Sequence, residues 1–154
     1  MTTMKSRFFE DYPVGMIEQF GPIEIVETDM IAFARAWDPQ PFHIDPQAAR
    51  TSIYGGIIAS GWFTCVVAMK ELVTHYLSSA SSLGSPGLDQ LHWLAPVRGG
   101  DQLWLSCEVV EARPSQSKPD RGIVKTKIEL HPETGAPVLS MIASNFVLRR
   151  GHSK

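Results

Sequence analysis

The chain has 154 residues, 44% of them hydrophobic and 19% charged, the balance of a folded domain rather than a disordered segment. A formal net charge of −2 excludes the broad positive field with which proteins gather nucleic acid or anionic membrane surfaces. This length predicts a single domain over residues 1–149, with residues 150–154 as a flexible C-terminal tail.

The opening MTTMKSRFFEDYPVG lacks the apolar core of a signal peptide, so a cytoplasmic location is expected. Ile17 to Val26 reads as one or two short strands broken at Gly21–Pro22. Thr28 then fits an N-cap, with Asp29 in the first turn suited to the helix dipole. Met30, Phe33, Ala34 and Trp37 follow at i, i+3, i+4 and i+7, an amphipathic helix ending at Trp37.

The stretch WDPQPFHID, from Trp37 to Asp45, comes next. Its two prolines restrict themselves and their predecessors, which predicts a fixed, non-helical path. Asp45 before Pro46 fits an N-cap followed by proline at the first helical position, opening a short helix through Ala49. Gly55–Gly56 suits a turn. From about Ser60 to Leu77 the pattern is helical and apolar around most of its circumference, leaving a narrow polar strip with Lys70 and His75. Such a helix is expected to be wrapped by other structure. Thr64, Lys70 and Glu71 interrupt its apolar run, so no membrane span is expected.

After a Ser/Gly linker the composition turns to β. Segments 88–94, 103–113, 122–131 and 137–149 alternate, as in Leu103, Leu105, Cys107 and Val109 against Trp104, Ser106 and Glu108. Turn-rich PVRGGD, PSQSKPDRG and PETGAP separate them, so the four are expected to form an antiparallel meander. A sheet wrapped around one long helix satisfies this order, an α+β architecture.

Two constellations carry possible chemistry. Asp38 and His43 bracket Pro39 and Pro41, and a carboxylate beside an imidazole activates water by sharing its proton. Against this stands an ordinary reading of both as a loop carboxylate and a satisfied boundary histidine. Gln40 is either a solvated loop residue or a polar lining group, and Asp45 is better explained as the helix cap. The second constellation is Ser60–Gly61 at the start of the apolar helix. Unpaired N–H groups there stabilise developing negative charge, and glycine permits close approach of a carbonyl. The alternative is a serine cap followed by a glycine chosen for packing.

His75, His92, His131 and His152 are too scattered for a metal site, so none is expected. Cys65 and Cys107 are expected as buried free thiols. Arg113, Lys118 and Arg121 read as a solvated turn, and Trp93 and Trp104 as packing residues in strands.

The runs FARAWDPQPFHIDPQAA and YGGIIASGW resemble the MaoC-like dehydratases, including R-specific enoyl-CoA hydratases. The family motif reads roughly G-D-x-N-P-[LIV]-H-x-D-x-x-x-A, followed by I-[AV]-[HPS]-G. Asp38, Pro41, His43, Asp45 and Ala49 match the first part, and Ile58, Ala59 and Gly61 the second. This resemblance implies a hot-dog fold, a homodimer, and water addition to or elimination from an acyl-thioester on coenzyme A or a carrier protein. It implies no separate cofactor, since coenzyme A belongs to the substrate. Asp38 and His43 then handle water and protons, and the Gly61 N–H receives the thioester oxygen. Trp37, Gln40, Tyr54, Ile58, Ser60 and Trp62 are the expected substrate contacts. Gln40 replaces the motif asparagine and Trp37 the motif glycine, departures that bear on substrate choice. Thioester hydrolysis on the same fold, or a non-catalytic acyl-thioester-binding subunit, remain alternatives at this point.

Overall fold

A computed structural model describes residues 5–154. The chain runs through β1 (Ile17–Glu24), α1 (Glu27–Trp37), α2 (Pro41–Ile44), α3 (Pro46–Arg50) and α4 (Gly61–Glu71). Four strands follow: β2 (Gly87–Trp93), β3 (Gln102–Pro114), β4 (Arg121–His131) and β5 (Leu139–Leu148). α4 passes directly into a π-helical turn, Leu72–Tyr76, closed by the Leu77 N–H on the Leu72 carbonyl at 2.7 Å.

All five strands form one antiparallel sheet in the order β1-β3-β4-β5-β2. The expected meander therefore holds only for β3, β4 and β5. β1 occupies the free edge of β3, so β2 adds to β5 at the far side instead. The alternation read from sequence sets the sheet's buried face. Leu103, Leu105, Cys107 and Val109 are at most 2% exposed and join Val124, Ile128 and Leu130 in the core. Phe63, Ala68, Leu72 and Tyr76, from α4 and its π turn, complete that core. Each buried aliphatic side chain contributes about 1.5–3 kcal/mol.

Several local expectations change. α1 begins at Glu27, with Val26 at the N-cap position, so Thr28 lies inside the helix and caps nothing. Pro41 opens α2, a single helical turn, where a wholly non-helical path was expected; proline at the first helical position needs no N–H partner. Cys107 is buried and Cys65 only half-buried; both are free thiols. Within this one chain α4 is not wrapped all round. Trp62, Val66, Met69 and Val73 form a bare apolar stripe, each between 46% and 58% exposed, with exposed Leu88 of β2 also uncovered. Among the described residues no helix is long and apolar enough to cross a membrane.

Candidate active site

The site is built where α1 stops. Asp38 precedes Pro39, which disfavours helical ψ, and its backbone leaves the helix at φ −151°, ψ 67°. Its N–H still donates to the Ala34 carbonyl at 2.8 Å, which anchors the carboxylate to the end of α1. Gln40 takes extended backbone angles before Pro41 and becomes the N-cap residue of α2. That turn carries His43 into the interior, where it is 5% exposed. Asp45 then caps α3, its Oδ1 accepting the N–H groups of Gln47 at 2.9 Å and Ala48 at 3.3 Å.

Asp38 Oδ2 accepts the Ser60 hydroxyl at 2.7 Å, and Oδ1 accepts the Gln40 amide at 2.7 Å. Partial burial works against ionisation, but the Ser60 and Gln40 hydrogen bonds and the neighbouring His43 outweigh it. They hold the carboxyl below its ordinary 3.8. His43 Nδ1 donates to the Ile58 carbonyl at 2.8 Å, and Nε2 stands 3.3 Å from Asp38 Oδ2. A carbonyl only accepts, so the proton of a neutral ring sits on Nδ1. Nε2 then presents a lone pair to a carboxylate oxygen. Two acceptors 3.3 Å apart leave no room for a water between them; they are satisfied by one shared proton, and both can accept from a water on their cavity side. This is a geometry for moving a proton on and off water.

α4 faces the pair with its first residue. Among the described residues nothing accepts the Gly61 N–H, a helix-start donor left without an intrahelical partner. Ser60 is fully buried at the N-cap position, yet its hydroxyl makes no capping bond because Asp38 takes it. Gly61 has a packing reason as well. A Cβ there would lie 2.5 Å from the Trp93 ring, and the Trp93 indole N–H donates to the Gly61 carbonyl at 2.8 Å.

Asp38, Gln40, His43, Tyr54, Ile58, Gly61 and Trp62 all line one cavity of about 470 Å³. Ser60 supports it from behind through Asp38. Trp37 stands apart, 77% exposed and outside the lining. Sequence reasoning missed four parts of the lining: Phe42, edge-on to His43 at 4.5 Å; Thr64 of α4; Trp93; and the segment Leu94–Val97. Phe42 lies between the two motif residues, and its place was legible once His43 turned inward.

Residues 11–130 match the family described as MaoC like domain. The 3-hydroxybutyryl-CoA dehydratase of Methylorubrum extorquens is 31% identical over 116 residues, covering 72% of this chain and 69% of that protein. Among solved structures, a MaoC-like dehydratase from Rhodospirillum rubrum superposes with a TM-score of 0.87 at 36% identity. That alignment covers 96% of this chain and 100% of the other. The R-hydratase PhaJ1 of Pseudomonas aeruginosa shares the fold at a TM-score of 0.74 and 23% identity, over 93% and 86% of the two chains. The sheet around α4 is thus the hot-dog fold of these structures. Motif, fold and family match agree over most of the sequence, and the chain belongs to the MaoC-like dehydratase family.

Proposed function

We propose that this protein hydrates 2-enoyl thioesters, or dehydrates the corresponding 3-hydroxyacyl thioesters, with coenzyme A as the carrier. The observation that carries this reading is the Asp38–His43 pair sharing a cavity with the Gly61 N–H, unpaired among the described residues. A hydratase must hold a water, take its proton, and stabilise charge on a thioester oxygen. Each task has a group here. A water held in the cavity beside Asp38 Oδ2 and His43 Nε2 gives up a proton to this pair as its oxygen bonds the β-carbon. The double-bond electrons move toward the thioester carbonyl, whose oxygen rests on the Gly61 N–H. A proton returned to the α-carbon completes the addition, and dehydration is the reverse. The Methylorubrum relative, named for a short 3-hydroxyacyl-CoA, supports the substrate class.

The working unit proposed is a homodimer. The bare stripe of Trp62, Val66, Met69 and Val73 gives it an apolar face to bury, and β2 is a free sheet edge. The test of the activity is product identity. Incubation with crotonyl-CoA is expected to yield 3-hydroxybutyryl-CoA without release of free thiol. Thiol release without hydration would assign the site to thioester hydrolysis, and unchanged ester would mark a binding subunit.

A further inference from the structure

Gly61 combines two requirements that oppose each other. Lacking a side chain, it lets a thioester oxygen approach its N–H, but glycine also has the freest backbone of any residue. A donor that stabilises developing charge has to be aimed beforehand, because reorienting it during the reaction forfeits the gain. Groups outside the glycine must therefore hold it.

Two of them do. The Ser60 carbonyl, in the same peptide plane as the Gly61 N–H, accepts the Thr64 N–H at 3.2 Å. On the other side the Trp93 indole N–H donates to the Gly61 carbonyl at 2.8 Å. The indole ring stands where a side chain on Gly61 would be, 2.5 Å from the position of its Cβ. Trp62 meets that ring edge-on, with centroids 5.1 Å apart. A side chain from β2 thus supplies the restraint that the glycine lacks.

β2 is shaped to deliver this ring. Its pairing with β5 shifts between Asp89 and His92, where three steps along β2 answer two along β5. Gln90 lies in this bulge at φ 51°, a left-handed backbone uncommon for residues other than glycine. Residues opposite each other in a sheet share a face, and Trp93 stands opposite the buried Leu139. Without the extra residue His92 would take that place and Trp93 would point to the outer face. The bulge turns the indole toward α4.

We infer that Trp93 is a positioning residue for hydration: its indole N–H and ring fix Gly61 so that the Gly61 N–H meets the thioester oxygen as charge develops there. The inference rests on the hydratase reading and adds to it a residue that acts through Gly61. Support of this kind is realised in the transition state, so its loss falls on kcat rather than KM.

The experiment compares crotonyl-CoA hydration by the wild-type protein and by Trp93→Phe, which keeps a ring against Gly61 but has no N–H. Trp93→Leu serves should the phenylalanine protein fail to fold. In the folded variant kcat is expected to fall at least about tenfold while KM stays within about twofold; removing an oxyanion donor outright costs about 10²–10³. Infrared difference spectra of bound butyryl-CoA, labelled with carbon-13 at the thioester carbonyl and with no double bond to hydrate, give a second readout. On the wild-type protein its carbonyl stretch is expected to lie below that of free butyryl-CoA, and on the variant to move back toward the free value. Four results overturn the inference while leaving the hydratase reading intact: wild-type kcat in the folded variant, a raised KM with kcat kept, a fallen kcat with the bound stretch unmoved, or a wild-type stretch equal to the free one. No hydration by the wild-type protein overturns that reading, and this inference with it.

Discussion

His43 Nε2 lies 3.3 Å from Asp38 Oδ2 while the opposite ring nitrogen is bonded to the Ile58 carbonyl, so proton exchange at this histidine is confined to Nε2. Asp38 is fixed just as firmly, with Ser60 on one oxygen and Gln40 on the other. Both partners are oriented before any substrate arrives, and this preorganisation is what gives an acid–base pair its effect.

Ser60 is expected to tune Asp38. The carboxyl is depressed in the folded protein, so its contribution to stability is present above the unfolded value of 3.8 and is lost as pH falls through the folded one. Ser60→Ala removes a donor from the ionised form. The acid limb of the kcat/KM profile is then expected to move to higher pH, with stability at neutral pH lower by on the order of 1 kcal/mol. An unmoved acid limb would deny Ser60 this part.

Asp45 provides the contrast. Its carboxylate caps α3 and has no place in the cavity lining. Asp45→Ala is expected to cost about 1 kcal/mol in urea unfolding while kcat stays near the wild-type value. A large loss of kcat with stability unchanged would place Asp45 among the catalytic residues instead.

The Tyr12 hydroxyl, buried in the core, donates to the Tyr76 carbonyl at 2.6 Å. Burial, partly opposed by Arg7, pushes it from 10.0 up to about 12. A raised tyrosine favours the neutral form in the fold, so its contribution is complete below pH 10 and is lost as pH rises through about 12. Tyr12→Phe is expected to lower stability at pH 8 by about 1 kcal/mol and to blunt this alkaline loss. Unfolding midpoints measured across alkaline pH for both proteins would show it.

The bare stripe on α4 predicts assembly. Sedimentation at micromolar concentration is expected to give twice the chain mass, and Val66→Glu to give a monomer by placing a charge within that apolar face. A wild-type monomer across the concentration range would refute the dimer.

Much of this was legible because it is local. The β alternation from Leu103 to Val109, the Asp45–Pro46 cap and the apolar run after Ser60 depend on neighbours a few residues away. Asp38 and His43 were brought forward by the stiffness of the prolines between them. What escaped depends on distant chain meeting in space. Ser60 was read as a substrate contact, or else a cap, because its tie to Asp38 spans 22 residues, and Trp93 as packing because its bond to Gly61 spans 32. β2 was placed beside β3 by sequence order, which carries no record that β1 already holds that edge. The bare face of α4 escaped because an apolar stripe is written the same way whether the sheet or a second chain covers it.

The most direct measurement is the rate of crotonyl-CoA hydration by the wild-type protein and by Asp38→Asn and His43→Gln, each confirmed folded by its melting transition. The account predicts 3-hydroxybutyryl-CoA from the wild-type protein and a loss of about a hundredfold or more in kcat for each variant. Near-wild-type turnover in either variant would contradict it.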